Sequence, residues 1–156
     1  MTQHLVNLKI ALRPVWHNEP PEISLGIEDN KNIITLTETT EFDLNFECEE
    51  GEYTLNIEFL NKKDSDTVPE KNLDKAVVIE RITMFGISDP KFVWAGVYTP
   101  EYPKKWAKEQ KKAGVVLEQH LTNHNYLGWN GKWALTFSVP VFTWVHKTQN
   151  LGWIYD

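Results

Sequence analysis

A two-sheet β-sandwich of jelly-roll type carrying one short helix is the fold this sequence predicts. Three observations carry it. Apolar and polar residues alternate with period two along most of the chain, as they do in strands with one buried face. Turn signals punctuate these runs every ~8–12 residues, giving about eight to ten short strands, the pattern of a sandwich, with a closed barrel as the structural alternative. Only one stretch has the punctuation of a helix.

Taken in order, LVNLKIALR places Leu8, Ile10 and Leu12 on one face and Asn7, Lys9 and Arg13 on the other. EISLGIE offers Ile23, Leu25 and Ile27, and EFDLNFE offers Phe42, Leu44 and Phe46 opposite Asp43, Asn45 and Glu47. YTLNIEFLN turns Tyr53, Leu55, Ile57 and Phe59 inward. AVVIERITMF and KFVWAGVY are apolar on both faces in part, which predicts central strands, with Trp94 in the core. GKWALTFSVPVF places Trp133, Leu135, Phe137, Val139 and Val141 on one stripe, with Pro140 marking an edge, a bulge or a bend. Between the runs lie Pro20-Pro21, Asp29-Asn30, Glu50-Gly51, Asp89-Pro90 and Asn130-Gly131. The Trp129-Asn130-Gly131-Lys132 step predicts a two-residue hairpin, because Asn-Gly tolerates the positive φ angles of a type I′ turn. TPEYPKKWAKEQKKAG predicts the one helix, over 101–113, with an early proline, a lysine-rich body, Gly114 as its stop and Trp106 lying on the sheet as a cover.

The 156 residues are read as one domain, 1–156. A chain of this size buries about two-thirds of its unfolded surface and needs no staples. A single cysteine, Cys48, excludes an intramolecular disulfide. The net charge of −6 argues against nucleic acid as a partner, since phosphate binding needs a basic face. No apolar run approaches the ~20 residues of a membrane span. The opening MTQHLVNLKIALRP lacks a basic n-region and a small-residue cleavage site, so a cytoplasmic or virion-associated location is expected.

Between the strands around Leu55 and Val78 runs KKDSDTVPEKNLDK. Calcium takes carboxylate, amide and carbonyl oxygens from flexible loops. Asn61, Asp64, Asp66, Glu70 and Asp74 supply such donors and are the candidate metal ligands, although the glycine and terminal glutamate of an EF-hand are absent. The competing reading is a solvated acidic loop whose charge is offset by Lys62, Lys63, Lys71 and Lys75.

The run from Leu55 to Gly86 resembles the calcium-dependent xylan-binding carbohydrate-binding modules. Those sandwiches carry a strand ending in Phe-x-Asn, an Asp-Arg-Asn-Leu step and a strand ending in Ile-x-x-x-Gly. The matching residues are Phe59-Leu60-Asn61, Glu70-Lys71-Asn72-Leu73 and Ile82-Thr83-Met84-Phe85-Gly86. The chain departs from the pattern by extra residues after Leu73 and by Glu80 where the family has an aspartate. The resemblance implies a sandwich fold and calcium-dependent glycan binding. ISDPKFVWAGVYTPEYPKKW is similar to uncharacterised small proteins of marine T4-like phages, which implies a phage origin.

Seven tryptophans make aromatic placement informative, because Trp and Tyr stack on the flat C–H faces of sugar rings. Aromatics off the apolar stripe are the candidates. Trp129 adjoins the predicted hairpin turn with Tyr126 and Asn130 close by, Trp144 is out of phase with its strand, and Trp153 and Tyr155 alternate near the C-terminus. Tyr98 and Tyr102 flank the Thr99-Pro100 turn, while Trp133 is in phase with the core stripe.

Catalysis is the weaker reading. His120 and His124 are four apart without an intervening glutamate and fall on a strand end and loop. Cys48 sits among glutamates, a field that disfavours its thiolate. No serine has a Gly-x-Ser-x-Gly surround, and no phosphate-cradling glycine loop occurs. The expectation is therefore a non-catalytic protein that recognises carbohydrate, with calcium as its cofactor. The alternatives are a virion assembly component with a protein partner and a small glycan-active hydrolase.

Overall fold

The computed structural model of the chain describes residues 3–141 and 143–145. In chain order the strands are β1 (His4–Val15), β2 (Glu22–Ile27), β3 (Asn30–Thr35), β4 (Thr40–Cys48), β5 (Gly51–Phe59) and β6 (Ala76–Met84). They continue with β7 (Ile87–Ser88), β8 (Val97–Pro100), β9 (Leu121–Thr122), β10 (Tyr126–Leu127) and β11 (Gly131–Val139). Two short helices, α1 (Pro90–Trp94) and α2 (Lys104–Lys112), lie between them. One sheet runs β10–β6–β1–β4 with β7 beside β6; the other runs β3–β2–β5–β11–β8–β9. The ladders are antiparallel, and the two sheets enclose one apolar cluster, so the chain is an all-β sandwich as predicted.

Periodicity explains which faces meet. Along β11, Trp133, Leu135, Phe137 and Val139 point inward and are buried, while the residues between them are half-buried or exposed. Leu8, Ile10 and Leu12 of β1 and Ile57 and Phe59 of β5 are equally buried. β6 sits centrally, between β1 and β10, as its two-sided apolar run predicts. Its pairing with β1 slips so that Ala11 opposes Arg81 and Leu12 opposes Ile79, leaving Glu80 as an extra residue. That bulge breaks the alternation and puts Glu80 and Arg81 outside together, where they pair with Arg13 and Glu41 respectively.

Four expectations are corrected. KFVWAGVY is not one strand: Asp89 caps a helical turn by accepting from the Lys91 amide, Pro90 fits the first helical position, and only Val97 onward is extended. The described residues therefore hold helix beyond the one expected, in α1 and again at 141 and 143–145, and Trp94 at the end of α1 is 52% exposed and not core. The Asn130-Gly131 step is also no hairpin. β10 before it belongs to one sheet and β11 after it to the other, so the step carries the chain across the sandwich. Gly131 has φ +147° there, and a Cβ on it would stand 2.4 Å from the Thr99 carbonyl oxygen.

Candidate functional site

The crossing segment 126–130, the loop between β5 and β6, and α2 meet around a cleft of about 680 Å³. Lys62, Thr67, Asp74, Trp106, Tyr126 and Trp129 line it, with Lys105, Glu109 and His124 beside them.

Polar contacts, most of them part-buried, fix the walls. The Asn130 side chain pairs with the backbone of Lys62 as a strand would: its oxygen accepts from the Lys62 amide at 2.7 Å, and its nitrogen donates to the Lys62 carbonyl at 3.1 Å. The Asn130 carbonyl accepts from the Glu101 amide at 2.7 Å, which ties the same residue to the chain leading into α2. Tyr98, buried in β8, holds Trp129 by hydrogen bonds to its main chain. Burial pushes the Tyr98 phenol well above its ordinary value, so it stays a neutral donor.

Three rings from two separate stretches meet over this frame. Trp129 lies 5.1 Å from Tyr102 edge-on and 5.7 Å from Trp106 at a tilt, and Tyr102 and Trp106 are 5.7 Å apart. These separations fall within the range of favourable aromatic packing. The Tyr102 hydroxyl donates to the Glu118 carbonyl at 2.6 Å, which anchors the ring that leads into α2. Tyr126 faces the group from the other side, 39% exposed, with its hydroxyl on Asp74 Oδ2 at 2.6 Å. Burial and the Asp74 carboxylate together raise the Tyr126 phenol above its usual range. Burial alone would raise Asp74, but hydrogen bonds from Lys62, Tyr126 and Thr67 outweigh it and hold the carboxyl below the ordinary range.

The structure thus brings Trp129 and Tyr126 to one cleft and places Asn130 behind it as a clamp. Trp144 lies elsewhere: β11 ends at Val139, and the turn that follows brings the ring against Phe92 at 5.6 Å and Phe137 at 6.3 Å, at the core margin. Trp153 and Tyr155 lie outside the described residues. Of the two turn-flanking tyrosines, Tyr102 joins the cleft rings while Tyr98 is buried beneath them; Trp106, expected only as a cover on the sheet, is the ring that sequence reasoning misses, since nothing local shows that it shares a partner with Trp129.

The proposed metal ligands do not converge on a common point. Asp74 Oδ1 accepts from Lys62 Nζ at 2.6 Å and from the Thr67 hydroxyl at 2.7 Å, while its other oxygen takes Tyr126. Asp66, 2% exposed, accepts from the Lys63 amide at 2.8 Å and faces Lys75 Nζ at 3.6 Å. The Asn61 side chain turns back to the Glu22 amide, Glu19 and the Pro20 carbonyl. Glu70 is exposed on the 3-10 turn Pro69–Lys71, and the Asp64 side chain lies outside the described residues. Among the described residues no group of three or more His, Cys, Asp or Glu is arranged to hold a metal ion. Among the described residues the donor set therefore does not fit a calcium ion: Asp74 is taken by an ammonium and two hydroxyls, Asp66 by an amide and an ammonium, and Glu70 stands apart on the surface.

A second, smaller cavity of about 320 Å³ lies against the β6 bulge and α1, lined by Glu80, Arg81, Trp94 and Asn125 among others.

No protein-family model matches the chain, and no curated protein matches it. Among solved structures it is similar to vCBM60 in complex with galactobiose, at 14% identity over 83% of this chain and 96% of that one, with a TM-score of 0.50. A selenomethionine form of vCBM60, from work linking two families of calcium-dependent carbohydrate binding modules by circular permutation, gives 15% identity over 86% of this chain and 90% of that one, with a TM-score of 0.51. The likeness shows a shared β-sandwich fold.

Proposed function

We propose that the cleft between the 61–75 loop, α2 and the 126–130 crossing binds a carbohydrate and does not cleave it. The observation that carries this reading is the cluster of Trp129, Trp106 and Tyr102 set beside the polar groups of Lys62, Asp74 and Tyr126. Flat rings take the C–H face of a pyranose, and the neighbouring donors and acceptors meet its hydroxyls. The fold, shared with vCBM60, supports the same reading. Asp74 is held ionised by three donors, so in this reading it accepts from sugar hydroxyls and does not protonate a glycosidic oxygen. Calcium has no part in this reading. The other reading, an assembly component, draws on the exposed apolar residues Leu5, Ile33 and Val116, which lie on separate segments of the chain.

The test is retardation of the protein in native gels containing soluble polysaccharides, together with a glycan array. Binding that is lost in Trp129→Ala and kept in Trp94→Ala is expected. Absence of binding to every glycan, or binding untouched by Trp129→Ala, sinks the proposal.

A further inference from the structure

Two lysines end inside the 61–75 loop, in positions where oxygen atoms gather. Lys75 has no exposed surface, and its ammonium lies 3.0 Å from the Asn61 carbonyl, 3.6 Å from the Asp66 carboxylate and 3.8 Å from Glu19. Lys62 places its ammonium 2.6 Å from Asp74 and 2.7 Å from the Lys75 carbonyl. Carboxylates and main-chain carbonyls are the oxygens a loop offers to a hard cation. Here they converge on cations that the chain itself carries.

The charges balance locally. Asp66 and Asp74 face Lys75 and Lys62, so each enclosed carboxylate has its counter-charge without help. The two pairs are also linked. Lys62 binds the carbonyl of Lys75, Lys75 binds the carbonyl of Asn61, and Asn130 clamps the backbone of Lys62, so the loop closes on itself and on the cleft wall. Lys75 immediately precedes β6 and is wholly enclosed, so its ammonium cannot make way for another ion without unseating the loop.

We infer that the 61–75 loop is organised by the ammonium groups of Lys62 and Lys75 in place of a divalent cation, and that the adjoining cleft works without metal. The statement about the cleft rests on the carbohydrate reading; the statement about the loop does not.

The first test uses the full chain, stripped of metal and melted in EDTA, in millimolar calcium and in millimolar magnesium. Coincident transitions are expected, within about 1 °C, because an ion that binds only the folded state must raise the melting temperature. A rise with calcium beyond that overturns the inference. The second uses Lys75→Met, which keeps the stem and deletes the charge. Leaving Asp66 enclosed and unpaired should lower the melting temperature by at least about 6 °C, and adding Asp66→Asn should recover part of the loss. An unchanged transition in Lys75→Met overturns the inference, and if that variant does not fold, the metal melts of the native chain still decide. Glycan binding, where found, should survive EDTA, and its loss in EDTA also overturns the inference. A chain that binds no glycan counts against the carbohydrate reading alone, because the melts need no ligand.

Discussion

The buried hydroxyl of Tyr98 serves both main-chain polar groups of Trp129, donating to its carbonyl and accepting from its amide at 3.1 Å. One side chain in β8 therefore fixes the backbone that presents the cleft's central ring. Tyr98→Phe keeps the aromatic bulk and its stacking on His124, 5.5 Å away, but strands two backbone groups. We expect a loss of about 1–3 kcal/mol in stability, read by denaturant unfolding. Weaker glycan binding should accompany it, since the Trp129 ring loses its frame.

The ring cluster itself should separate binding from folding. Trp106 and Trp129 are half-buried at the cleft and touch each other, whereas Trp94 stands exposed on α1 at the other cavity. Trp129→Ala and Trp106→Ala should each weaken glycan binding roughly tenfold or more, about 1.4 kcal/mol, measured by calorimetric titration. Trp94→Ala should leave affinity unchanged. Equal losses from all three variants would mean that the cleft is not the binding surface.

How much of this was legible in the sequence depends on whether a feature is local. β4 and β11 announce themselves because each keeps an unbroken alternation, with one half-buried face in β4 and one buried face in β11. β3 went unread: it is the outer strand of its sheet, nearly all exposed, so no stripe marks it. α1 looks like part of a strand in sequence because Phe92 and Val93 are adjacent and both buried, and Asp89-Pro90 signals a turn as readily as a helix cap. The same division holds at the site. Trp129 and Tyr126 stand out as aromatics beside a turn, but their partners Trp106 and Asp74 arrive through the fold. The acidic loop shows its lysines in sequence, yet nothing local tells that two of them fold inward and take the carboxylates.

Asp74 gives the loop a pH signature. Its carboxyl is held below the unfolded value of 3.8, so the stabilisation it supplies is fully present above that pH and is lost as pH falls through the lower folded value. Asp74→Asn cannot pair with Lys62 as a charge and should be less stable at neutral pH by about 1–3 kcal/mol. The gap between the two proteins should begin to narrow only below the unfolded value of 3.8 and close once the pH has fallen through the lower folded value. Melting curves from neutral to strongly acid pH check this; a gap that stays constant across the range would show that the charge of Asp74 contributes nothing.

Gly96 and Trp133 set the packing beneath the cleft wall. A Cβ at position 96 would stand 2.1 Å from the Trp133 ring, far inside contact distance, and that ring is completely buried between the sheets. A rigid, enclosed indole cannot step aside as the end of a flexible chain would. Gly96→Ala should therefore cost about 1–3 kcal/mol through overpacking, although Ala ordinarily gains over Gly by restricting the unfolded chain. Because β8 follows Gly96 directly and carries Tyr98, the displacement should also reach the Trp129 backbone and weaken binding. Trap and relief can be told apart with a second change: Trp133→Phe alone should cost stability by leaving a void, but combined with Gly96→Ala it should cost less than the two changes added together. Additive losses in chemical denaturation would mean that the methyl group and the indole do not compete for the same space.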